Sequence, residues 1–154
     1  MPTEIKNSFV DVNGIRLHIA QAGPTDGTLV LLAHGFPEFW YSWRFQIGAL
    51  ADAGFRVVAP DMRGYNRSDK PKGVAAYSSD ALADDIHALI AHLEAPLHGL
   101  VGHDWGGGVA WFFAMKYPEA FQRLAILNCP HPARFLTGLR TLRQLRKSWY
   151  MFFF

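Results

Sequence analysis

The chain has 154 residues, half of them hydrophobic, with 15 Lys and Arg against 13 Asp and Glu and a formal net charge of +2. That is enough for one soluble globular domain with its own core, and too small a charge bias to point to nucleic acid as a partner. The single cysteine, Cys129, excludes a disulfide framework and a zinc-type ligand set, and it fits a reducing compartment. Residues Met1 to Lys6 lack the apolar run of a signal peptide, and no stretch approaches the roughly 20 apolar residues that span a bilayer. The expectation is a cytoplasmic protein with no membrane span.

In chain order, Phe9–Val12 and Ile15–Gln21 flank Asn13-Gly14, a hairpin signal. Leu29–Ala33 is a continuous apolar run, as in a strand buried on both faces. Trp43–Ala53 reads as a helix stopped by Gly54, and Phe55–Ala59 as a strand ended by Pro60. Asp61–Ala76 is rich in Gly, Pro, Asn, Ser and Lys and reads as a loop, in which Asn66 suits a left-handed position. Ser78–Glu94 reads as a helix capped by Ser78 or Ser79, with Leu82, Ile86, Leu89, Ile90 and Leu93 at helical spacing. Leu97–Val101 is a strand, Gly106–Tyr117 a helix, and Phe121–Leu127 a strand. A hairpin followed by alternating strand and helix predicts an α/β fold with a mostly parallel sheet. From Phe135 the character changes. Leu139, Leu142, Leu145 and Trp149 share one helical face, with Arg140, Arg143, Arg146 and Lys147 mostly on the others. This reads as a packing helix with a solvated basic face; the alternative is a basic helix lying on a membrane.

The segment Leu100 to Gly108 carries the strongest chemical signal. An apolar strand runs into Gly102-His103-Asp104-Trp105-Gly106 and then into a helix, the pattern of a nucleophile elbow with Asp where Ser is more common. The turn is so sharp that positions two before and two after the nucleophile must lack bulk, and the nearby helix N-terminus favours a negative charge. The plainer alternative is that Asp104 only caps the helix. The second signal is His34-Gly35-Phe36-Pro37 after the strand Leu29–Ala33, where an oxyanion loop is expected. Its donors would be the backbone N–H groups of Phe36 and Trp105, and the Phe36–Pro37 bond is a candidate for cis. His18, His87, His92 and His98 have no motif around them, and Asp61 and Asp69 belong to a turn-rich loop.

Together His34-Gly35-Phe36-Pro37-Glu38 with Trp40 to Arg44, Asp61 to Tyr65, Gly102 to Gly107 and Asn128-Cys129-Pro130-His131-Pro132 resemble epoxide hydrolases of the α/β-hydrolase superfamily. The resemblance implies an α/β-hydrolase core over residues 1–132 and the start of a helical cap over residues 133–154. It implies that Asp104 attacks an epoxide carbon and forms an alkyl ester, with the ring oxygen leaving as an alkoxide stabilised by cap tyrosines. Tyr150 would be the first of these and, with Phe36 and Trp105, would contact substrate. His34, Gly35, Pro37, Gly102 and Gly106 would support the motif. Water would then attack the ester, and the oxyanion would sit on the Phe36 and Trp105 amides. The implied partner is a small apolar epoxide, with no metal and no organic cofactor.

The family's general base is a histidine oriented by an acid, both after the cap. No histidine follows His131 here, and no Asp or Glu follows Glu119. The expectation is that the chain ends inside the cap, without the base, its acid partner, the second tyrosine and the final strands and helices. The chain by itself would then form the ester weakly and not hydrolyse it. Competing readings are a haloalkane dehalogenase, against which Phe36 argues, and a fluoroacetate dehalogenase, against which Trp105 argues. A non-catalytic fragment is a further reading, and a serine esterase is disfavoured by Asp104.

Overall fold

The structure, a computed structural model, describes residues 3–149. Strands β1 (Lys6–Val12) and β2 (Ile15–Ala22) form the expected hairpin. Val12 pairs with Ile15, and Asn13 and Gly14 take φ of 48° and 72°, the left-handed pair that a two-residue turn needs. Strands β3 (Thr28–Ala33), β4 (Phe55–Pro60), β5 (Leu97–His103) and β6 (Phe121–Leu127) complete one six-stranded sheet in the order β1-β2-β4-β3-β5-β6. β4, β3, β5 and β6 run parallel to one another, and β2 joins β4 antiparallel.

The continuous apolar run of β3 has the reason expected for it. Leu29, Leu31 and Ala33 face one core, packed with Ile86 and Leu89 of α2 (Ser79–His92) and Val109 and Phe113 of α3 (Trp105–Lys116). Val30 and Leu32 face another, with Ile47 and Ala51 of α1 (Arg44–Asp52). Helices on both faces leave alternate residues of the strand no solvent side. Ser78 caps α2 by accepting the Ala81 N–H, and Gly54, at φ 90°, lies just beyond α1.

The loop expected after β4 is present, and it clasps buried polar groups; the C-terminal expectation changes. Asp61 is fully buried, and its carboxylate accepts hydrogen bonds from the Trp40 N–H (3.0 Å), from Asn66 Nδ2 (2.8 Å) and from the buried His18 ring (2.7 Å). Asn66 takes φ of 41°, as foreseen. The C-terminal segment does not form one apolar helical face. It is two short helices, α4 (Pro132–Gly138) and α5 (Leu142–Lys147), because Thr141 leaves the helix and caps α5 through the Gln144 N–H. Leu142 is 86% exposed, so the packing face expected there is not buried among the described residues. No helix among the described residues is long and apolar enough to cross a membrane.

Candidate active site

The parallel register brings the two motifs together. Ala33 pairs with Gly102, so the loop after β3 and the turn after β5 leave the same edge of the sheet side by side. The small residues allow this approach. A Cβ at Gly106 would run into the carbonyl oxygens of Ala33 and His34, and one at Gly102 would lie 2.6 Å from the Gly106 carbonyl oxygen. α3 therefore starts against the end of β3, with the residue before it in a backbone conformation that side chains rarely adopt.

That residue is Asp104, at φ 49° and ψ −115°, a strain of order 1–3 kcal/mol. It occupies the cap position of α3, yet its side chain makes no capping hydrogen bond. Its backbone N–H donates to the Leu127 carbonyl (3.0 Å), and its own carbonyl accepts the Gly108 N–H (3.1 Å). The carboxylate turns instead to the β3 loop, where Oδ1 accepts the Phe36 N–H at 3.0 Å. Among the described residues Oδ2 has no hydrogen-bond partner, and neither has the Trp105 N–H, the first of α3. The Phe36–Pro37 bond is cis. The Phe36 and Trp105 side chains, 51% and 48% exposed, give the site an aromatic rim. The charge of Asp104 is felt around it: burial first, and this carboxylate second, push both the Tyr65 phenol and the Cys129 thiol upward.

The loop is held from below by His34. Its Nε2 accepts the Met62 N–H (3.0 Å), its Nδ1 donates to the Gly35 carbonyl (2.9 Å), and it is fully buried. Both nitrogens are used and the ring is neutral, so His34 joins the β3 loop to the β4 loop and is not a base. Burial lowers its pKa from the ordinary value of 6.5. The unfolded chain then binds the proton first, so this contribution to stability is complete above pH 6.5 and is lost as pH falls from there to the depressed native value. Thermal melts across that range are expected to show the melting temperature falling with pH, and a shallower fall in His34→Gln. Equal slopes in the two proteins would remove His34 as the cause.

Glu38, His103 and Asn128 also gather here, and sequence reasoning assigned them no role. Glu38 Oε2 accepts the Gly35 N–H (3.3 Å) and meets His103 Nδ1 (3.2 Å), while Asn128 Nδ2 lies 3.4 Å from His103 Nε2. All three stand inside the motifs; the available signal was an acid three residues after Gly35, within reach of a histidine next to Asp104. His131 caps α4 through the Ala133 N–H. Tyr150 lies outside the described residues.

The alpha/beta hydrolase fold family matches residues 28–153 of the chain. A Bacillus subtilis protein named AB hydrolase superfamily protein YfhM is 49% identical over 151 residues, which cover 97% of this chain and 53% of that protein. Epoxide hydrolase 1 of Caenorhabditis elegans is 50% identical over 147 residues, 95% of this chain and 36% of that one. Among solved structures, a variant of an epoxide hydrolase from Bacillus megaterium, complexed with its naphthyloxy-propane-diol product, superposes with a TM-score of 0.88 at 43% identity, over 95% of this chain and 51% of that one. Epoxide hydrolase VrEH1 from Vigna radiata gives 0.80 at 45% identity, over 82% and 41%. The chain thus spans about half the length of these relatives, or less.

Proposed function

The chain belongs to the α/β-hydrolase fold family, and from that premise we propose that it carries the nucleophilic half of an epoxide hydrolase, with Asp104 as the nucleophile and a small apolar epoxide as substrate. The observation that carries the reading is the posture of Asp104. A residue that merely capped α3 would point its carboxylate at the helix amides; this one sits in a strained turn with Oδ1 on the Phe36 N–H and Oδ2 without a partner among the described residues.

The two oxygens then have different tasks. Oδ2 attacks one ring carbon; a carbon–oxygen ester bond forms as the ring carbon–oxygen bond breaks, and the electron pair goes to the ring oxygen, which takes a proton from a donor such as Tyr150. Oδ1 becomes the ester carbonyl oxygen, already hydrogen-bonded to Phe36, and the Trp105 N–H is the second donor for the oxyanion that forms when water adds. Loss of the diol restores the carboxylate. The net reaction is epoxide plus water to diol, with no redox change and no cofactor. The aromatic rim of Phe36 and Trp105 favours an apolar substrate. Residues 133–154 are read as the start of a helical cap. The second step needs a base to activate water, a role His34 does not fill because both its ring nitrogens are engaged.

The test is mass spectrometry of the intact 154-residue polypeptide after incubation with styrene oxide, beside an alkyl bromide. A mass increase of one epoxide, mapped to the peptide holding Asp104, supports the reading. Reaction with the bromide alone would favour a dehalogenase, and no adduct in a folded polypeptide would overturn the proposal. The loop geometry adds a second expectation. A Cβ at Gly35 would lie 2.8 Å from Asp104 Cβ and 3.2 Å from its Oδ1. Gly35→Ala is therefore expected to slow ester formation about 100-fold, as a displacement of roughly 1 Å at the reacting atoms does. A wild-type rate would show that the loop moves aside at no cost to the chemistry.

A further inference from the structure

Two consecutive residues at the end of β6 grip two consecutive residues of the elbow. The Leu127 carbonyl accepts the Asp104 N–H (3.0 Å), and the Asn128 amide reaches His103 Nε2 (3.4 Å). Asn128 leaves the strand at φ 55°, a left-handed position that asparagine tolerates better than most residues. On the other side of the same imidazole stands Glu38, whose Oε2 also takes the Gly35 N–H, one residue before Phe36. One ring therefore ties together the end of β6, the elbow after β5 and the loop after β3.

The proton inventory of that ring is constrained. A carboxylate only accepts, so the hydrogen between His103 and Glu38 belongs to Nδ1. In the neutral ring Nε2 is then a bare acceptor, and the Asn128 Nδ2–H is the donor that meets it. Without that donor the carboxylate still keeps the hydrogen on Nδ1, but the ring is held from one side only and is free to turn away from Glu38. The groups facing His103 are Glu38 from the β3 loop, the Trp43 ring edge-on at 6.4 Å and Asn128, with Asp104 next to it in the chain.

Resting on the nucleophile reading above, we propose that Asn128 is a positioning residue for Asp104: it holds the His103 ring in the orientation in which Nδ1–H meets Glu38, which keeps Glu38 clamped to the loop and the Phe36 N–H on Asp104 Oδ1. Asn128 does not touch the reacting atoms. It acts through the histidine, and it lies where β6 gives way to α4, so the segment that follows β6 is linked to the elbow at His103.

The test compares the 154-residue polypeptide with Asn128→Leu and Asn128→Asp, following ester formation with styrene oxide and the 15N and Nδ1–H signals of the His103 ring. Asn128→Leu is expected to slow ester formation about tenfold and to weaken the Nδ1–H signal shared with Glu38, with an unchanged far-UV circular dichroism spectrum. Asn128→Asp replaces the donor with an acceptor against Nε2, which competes with Glu38 for the ring hydrogen. Its rate is expected to fall at least as far, with the 15N signals moving toward the Nε2–H form, a change that a purely structural role would not produce. A wild-type rate and an unchanged Nδ1–H signal in Asn128→Leu would overturn the proposal. If the unsubstituted chain forms no ester, the nucleophile reading fails, and the 15N comparison still decides whether Asn128 sets the histidine.

Discussion

Asp104→Asn is expected to abolish covalent capture of styrene oxide, with the rate of ester formation lower by about 10⁴-fold or more, the scale on which loss of a catalytic nucleophile is felt. The substitution is nearly isosteric. The amide oxygen still accepts the Phe36 N–H, and the elbow keeps its small neighbours, so the melting temperature should change little. What disappears is the anionic lone pair on Oδ2, since an amide nitrogen is a poor nucleophile at carbon. Cys129 is the competitor to watch. Burial and the charge of Asp104 hold its thiol protonated in the unsubstituted chain, and removing that charge relaxes one of the two restraints. The comparison is therefore best made in a Cys129→Ser background. An adduct that persists on the same peptide in Asp104→Asn would end the case for this carboxylate as nucleophile.

The largest expected effect on stability lies away from the site. Arg63 and Asp85 form a two-pronged ion pair, Nε to Oδ2 at 2.7 Å and Nη2 to Oδ1 at 2.6 Å, with side chains only 8% and 7% exposed. Asn13 Nδ2 adds a third donor to Asp85 (2.7 Å), and Arg63 Nη1 donates to the Ala76 carbonyl (3.1 Å). The pair thus joins the β1–β2 turn, the loop after β4, the turn before α2 and α2 itself. Asp85→Ala leaves a guanidinium buried without its counter-charge and is expected to cost about 3–5 kcal/mol, read as a lower denaturant midpoint in urea. The double substitution Arg63→Met with Asp85→Leu removes both charges and is expected to cost clearly less than the single one, because no charge is then stranded. A loss below about 1 kcal/mol in Asp85→Ala would mean that water reaches the pair and screens it.

The legible part of this protein is the part written in local periodicity and turn chemistry. Asn13-Gly14 admits a two-residue hairpin and little else, and the run Leu29–Ala33 has no polar face to offer solvent. Gly102 and Gly106 mark a turn where no Cβ fits. Each of those constraints acts within a few residues, so a linear reading finds it. The one helical face drawn through Leu139, Leu142, Leu145 and Trp149 failed because Thr141 satisfies a helix N-terminus with its own side chain, and such a cap competes with helical periodicity.

From the sequence alone came the element order, the α/β class with a mostly parallel sheet, the hydrolase-type motifs and the choice of Asp104, because strand, turn and helix propensities and the steric demand for glycine are local. Tertiary structure alone decided how the carboxylates are used. Asp104 and Phe36 stand 68 residues apart, Glu38 and His103 stand 65 apart, and His18 and Asp61 stand 43 apart. Whether a carboxylate caps a helix, pairs with a buried histidine or turns toward a loop amide depends on which donor the sheet register delivers to it. That register is set by the packing of two hydrophobic cores across six strands, which no short stretch of residues encodes.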